Sequence, residues 1–211
     1  MQQTLPRVPA ARPPSMKRSA APYVAGAIGV GVLALAVLSG GSRPAVAVRS
    51  AVAGALGRFF TLAELTASAA AVRLGVDNTP PLEAQENLRR LVFYVLDPLQ
   101  ASLGRKVRVT SGFRTPAVNE AVGGSATSQH MSGEAADIMV SGLSAVELAT
   151  AVIRLRLPFD RLIWYDLERG GHVHVSLTVR RANRGETLHA PAAGGYQPWA
   201  PGDMGGGNRS A

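Results

Sequence analysis

Residues 128–137, Ser-Gln-His-Met-Ser-Gly-Glu-Ala-Ala-Asp, constrain this chain more than any other stretch. They set His130 and Asp137 seven residues apart, with Gly133 between them to let the backbone turn and Ala135 and Ala136 keeping the approach uncrowded. Imidazole nitrogen and carboxylate oxygen are zinc ligands, and a catalytic zinc takes three protein ligands plus a water. A fold that uses this pair must therefore bring a third ligand from elsewhere. The chain has four histidines, and two of them, His172 and His174, stand together in Gly-His-Val-His-Val-Ser. That segment reads as a β-strand, on which alternate side chains share a face. A histidine pair on a strand is more often a coincidence of packing than a site. Three of the four histidines falling in two short motifs shifts the balance toward metal chemistry.

Other chemistries are excluded by composition. With no cysteine, disulfide frameworks, thiolate zinc sites, Fe–S clusters and thiol nucleophiles are all ruled out. The net charge of +8 suggests nucleic acid, but residues 1–60 hold seven Arg or Lys and no acid, whereas the remainder is nearly balanced. No basic stripe interleaved with aromatics occurs in that remainder, so no nucleic-acid partner is expected. Ser111, Ser128 and Ser176 lie near the motifs, yet none sits in a Gly-x-Ser-x-Gly elbow, which leaves serine catalysis unsupported.

The organisation follows from composition and periodicity. Residues 1–19, with Arg7, Arg12, Lys17 and Arg18, predict a disordered basic N-terminus. Residues 20–42 are uncharged and about as long as the roughly 20 apolar residues a helix needs to span a bilayer, which predicts a transmembrane helix or signal anchor. The basic cluster before it would keep that end cytoplasmic and the rest of the chain extracytoplasmic, with the lipid bilayer as a partner. Ala45-Val46-Ala47 offers a cleavage site, so a secreted form through a signal peptide stays open. Residues 43–59 read as a linker, 60–189 as the domain, and 190–211 as a disordered Gly/Pro-rich tail. Within the domain, Thr61-x-x-Glu64 and Ser144-x-x-Glu147 are capping boxes that open helices. Leu88, Leu91, Val92, Val95 and Leu99 form a helical core stripe. Strands are expected at 107–110, 135–140, 161–165 and 173–177.

Ser128-x-His130-x-x-Gly133-x-Ala135-x-Asp137, followed by a strand with His174-x-Ser176, resembles the zinc D-Ala-D-Ala carboxypeptidase family of peptidoglycan metallopeptidases, including phage endolysin-like members. Phe60-Thr61-Leu62-x-Glu64-Leu65, Ser111-Gly112-Phe113-Arg114 and Phe159-Asp160-x-Leu162-Ile163 extend the similarity in the family's order. The resemblance implies an α+β domain of the hedgehog/DD-peptidase type, a small antiparallel sheet packed with helices, here preceded by one transmembrane helix. It implies Zn²⁺ on His130, Asp137 and His174, and a peptidoglycan peptide as substrate. Arg114 would lie near that substrate, Ser128 and Gln129 would contact it or shape the site, and His172 would stabilise the oxyanion. Many relatives carry a glutamate base at the end of the strand after Phe-Asp, but here that position is Tyr165. Asp166 and Glu168 are the acids nearby, and both stay open as the base. The implied function is a zinc-dependent peptidase cutting stem peptides or cross-links. The alternative is a zinc-stabilised binding module of the same fold with weak or no turnover.

Overall fold

A computed structural model describes residues 54–202. Its first helix, α1 (Leu62–Thr66), starts at the Thr61 capping box: the Glu64 amide donates to Thr61 Oγ1 at 3.2 Å, and the Thr61 amide donates to the Glu64 carboxylate at 2.9 Å. After α2 (Ala69–Leu74), a long helical run consists of α3 (Leu82–Leu91), a π-helical turn (Val92–Leu96) and α4 (Asp97–Leu103). The wider π turn places Val92, Val95 and Leu96 all in the core, beside Leu88, Leu91 and Leu99. The remaining helices are α5 (Pro116–Ala121) and α6 (Ala145–Arg154), the latter opened by the Ser144 capping box.

Six strands form one sheet: β1 (Val107–Ser111), β2 (Ala135–Val140), β3 (Arg161–Tyr165), β4 (Val173–Ser176), β5 (Glu186–Ala190) and β6 (Gln197–Pro198). Their order is β1-β2-β4-β3-β5-β6. Alternation along the strands sorts side chains to two faces. Ile138, Leu162, Trp164, Val173 and Val175 join the core with Leu148 and Val152 of α6 and the long helical run. The intervening residues Asp137, Arg161, Tyr165 and His174 line a cavity. One face of the sheet is thus committed to the main core, while the other combines the cavity with a smaller apolar cluster of Ile163, Leu188 and Ala190.

Two parts of the expected fold class are corrected. The sheet is mixed rather than antiparallel, because β5 runs parallel to β3. The chain leaves β4 at Ser176, beside Arg161, and re-enters on the other side of β3 at Glu186, again beside Arg161. Strand β5 must therefore run with β3. Asp160 is the pivot of this crossover: its amide donates to the Ser176 carbonyl at 2.7 Å, and its own carbonyl accepts from the Glu186 amide at 3.0 Å. The second correction concerns the membrane. Among the described residues no helix is long and apolar enough to cross one. The span expected at 20–42 lies outside the described residues, as do the basic segment 1–19 and most of the linker.

The C-terminal stretch also differs from the expected disorder, as far as Gly202. Strand β6 pairs with β5, and Trp199 is buried, edge-to-face with Trp164 at a centroid distance of 6.0 Å. A two-residue strand and a single tryptophan carry no period that a sequence reading can detect. Upstream, Leu56 of the expected linker is already part of the core.

Candidate metal centre

Strand register places Asp137 of β2 directly opposite His174 of β4. His130 comes from the turn before β2, and that turn is fixed on three sides. Gly133 adopts φ +71°, and a Cβ there would collide with the Ala84 carbonyl oxygen of α3. Asn87, buried on the same helix, donates to the Ser132 carbonyl at 2.9 Å. His130 Nδ1 lies 2.7 Å from the Gly112 carbonyl oxygen. A carbonyl only accepts, so Nδ1 carries the proton and the lone pair sits on Nε2.

The three candidate ligand atoms converge. His130 Nε2 is 3.3 Å from Asp137 Oδ1 and 3.2 Å from His174 Nδ1, and His174 Nδ1 is 3.0 Å from the same Oδ1. Ligand atoms about 2.0–2.1 Å from a tetrahedral zinc sit about 3.3 Å apart, so the set needs almost no movement to hold one. His130, Asp137 and His174 form a His/Asp/His group suited to a metal ion. Burial opposes the charge on Asp137, but interactions with His130 and His174 outweigh it and hold the carboxyl well below the usual range. Burial is the largest influence on His174 and pushes it below the ordinary histidine value, so at neutral pH the ring is uncharged and able to ligate.

Arg114 has a different first task from the one expected. Its Nη2 donates to Asp137 Oδ2 at 2.8 Å and its Nε to Ser111 Oγ at 2.8 Å, so it orients the Asp137 carboxylate while lining the cavity. Ser128 and Gln129 line the cavity as well, and Gln129 Nε2 donates to Asp160 Oδ2 at 3.2 Å. His172 precedes β4, lines the same cavity and stacks on Tyr165 at a centroid distance of 4.3 Å. Burial lowers its pKa, more than Asp137 raises it.

Neither acid considered as the base reaches this cavity. Asp166 accepts from His189 Nε2 at 2.7 Å and from the Ala192 amide at 2.8 Å, contacts that tie it to β5 and the segment beyond. Glu168 lies exposed on a 3-10 turn (Leu167–Arg169). The turn carries both acids away, because Tyr165 already points inward and side chains alternate along β3. The fourth histidine, His189, is structural, stacked on Trp164 at 3.6 Å and paired with Asp166.

The cavity, about 570 Å³, has further walls that the sequence reading did not assign. Arg161 and Tyr165 come from β3, where strand alternation with Ile163 was the available signal. Arg181, Arg184 and Tyr196 come from irregular segments that carry no such signal. The Tyr165 and Tyr196 hydroxyls lie 3.3 Å apart, and burial, reinforced by Tyr196, pushes the Tyr165 phenol well above its usual value.

No curated protein gives a significant match to the chain. A family profile described as Peptidase M15 matches residues 58–176, a span that contains all three converging candidate ligands. With more than half its length matched, the chain belongs to the Peptidase M15 family of zinc D-Ala-D-Ala carboxypeptidase-like peptidases.

Proposed function

We propose that this chain is a zinc peptidase that hydrolyses amide bonds of peptidoglycan stem peptides or cross-links, as a carboxypeptidase or an endopeptidase. The convergence of His130 Nε2, Asp137 Oδ1 and His174 Nδ1 beside a peptide-sized cavity carries this reading. Zn²⁺ held there supplies a Lewis acid for the scissile carbonyl and lowers the pKa of water toward about 7. The protein's own groups do the rest. Arg114 fixes Asp137, while His172, which lines the cavity and is kept neutral by burial, is assigned the proton that the absent glutamate would take. Tyr165 stays protonated and donates a hydrogen bond toward the developing oxyanion. Peptidoglycan lies outside the cytoplasmic membrane, so this reading makes the domain extracytoplasmic.

A second reading, a metal-stabilised binding module without turnover, draws support from one observation. Among the described residues whose side chains line the cavity, Asp137 is the only acid, with Asp160 and Glu186 lying behind the arginines. Digesting isolated cell walls with the purified full-length chain separates the two. Release of new amino groups that a chelator stops and zinc restores supports the peptidase, and mass analysis of the muropeptides identifies the bond. A chain that binds zinc but releases nothing is the binding module.

A further inference from the structure

Past the end of the matched span, residues 177–185 cross from β4 to β5 and put Arg181 and Arg184 on the cavity wall beside Arg161. The buried carboxylate of Asp160 holds both crossover arginines. It accepts from Arg181 Nη1 at 2.6 Å and Nη2 at 2.9 Å, and from Arg184 Nη2 at 2.7 Å, Nε at 3.2 Å and backbone amide at 3.0 Å. Arg161 Nε and Arg184 Nη1 also approach Glu186 Oε2, at 2.8 and 3.4 Å. Three guanidinium groups of the wall thus share the carboxylates of Asp160 and Glu186, and Glu134 adds a weaker attraction to Arg181. The three arginine side chains remain 33%, 48% and 41% exposed, so donors stay open to a ligand. Their planes are set in advance by Asp160 and Glu186, which lowers the ordering cost of binding.

We propose that Arg161, Arg181 and Arg184 form a carboxylate-binding subsite, selecting peptides that carry a carboxylate at a distance from the scissile amide. The planar guanidinium fork matches a carboxylate in two-point contact. This subsite rests on the peptide-hydrolysing reading of the same cavity, yet it governs binding even where turnover fails.

The test measures binding of synthetic peptides to the zinc-supplemented full-length chain by calorimetry, alongside hydrolysis. One pair of peptides ends in a carboxylate or a carboxamide, and a second pair carries an internal glutamate that is free or amidated. The wild type is expected to favour the carboxylate form of one pair by about tenfold in Kd, and the responding pair identifies the source of the carboxylate. Arg161→Gln, whose partner Glu186 is part-exposed and can be hydrated, narrows that ratio toward one. Arg184→Lys, which keeps the charge on Asp160 but loses the fork, reduces it by a smaller factor. Equal affinity for both members of both pairs in the wild type, or a ratio untouched by Arg161→Gln, overturns the subsite. Carboxylate preference without hydrolysis upholds the subsite while removing the peptidase reading, so the two fail separately.

Discussion

His130 Nε2 lies 3.2 Å from His174 Nδ1, although 44 residues separate them in the chain. Two ring nitrogens and a shared carboxylate oxygen at this spacing give a cation a ready place, and Arg114 keeps that carboxylate in position. Loss of Arg114 therefore acts through the metal. Arg114→Met is expected to weaken zinc affinity about 10–100-fold while leaving the far-ultraviolet circular dichroism unchanged. Competition with a chromophoric chelator measures this. Affinity equal to wild type would show that Asp137 needs no such support.

The base assignment makes a separate prediction. Asp166 is occupied by His189 and the Ala192 amide, and Glu168 is exposed. Asp166→Asn and Glu168→Gln should each leave kcat within about twofold, whereas His172→Ala should lower it about 10²–10⁴-fold with zinc still bound. A large loss in Glu168→Gln would instead mean that the 167–169 turn bends inward when substrate binds.

Asp160 links stability to pH. Burial alone would raise its pKa, but hydrogen bonds from Arg181 and Arg184 overcome that and hold it far below the ordinary aspartate value. The folded state thus binds fewer protons than the unfolded chain. The resulting stability is present above the unfolded pKa of about 4 and is lost as pH falls below it. Asp160→Asn should cost about 2–3 kcal/mol at pH 7 and flatten the acid limb of stability. Urea unfolding between pH 3 and pH 7 reads both effects, and a variant with an unchanged acid limb would contradict the assignment.

Much of this site was legible because its signals are local. His130, Gly133 and Asp137 lie within one turn and strand, and alternation on β4 places His174 on the face opposite Val173 and Val175. Both capping boxes formed as their spacing predicts. What escaped depends on long-range placement. Nothing near Glu186 indicates that β5 will run beside β3 in the same direction, since that follows from a crossover pinned at Asp160. Arg181 and Arg184 look like an ordinary basic loop until Asp160 gathers them. Trp199 stands in a Gly/Pro-rich stretch, yet its ring finds Trp164 in the core. Asp166 stands in sequence beside the expected base position, but its actual partner, His189, is 23 residues away.

The most direct test is calorimetric titration of Zn²⁺ into chelator-stripped full-length chain, with the same preparations assayed for amino groups released from cell walls. One zinc per chain is expected, together with zinc-dependent release, and both should be lost in Asp137→Ala and His174→Ala. Undiminished release by Asp137→Ala, or unchanged zinc stoichiometry in both variants, would contradict the assignment of His130, Asp137 and His174 as the metal centre.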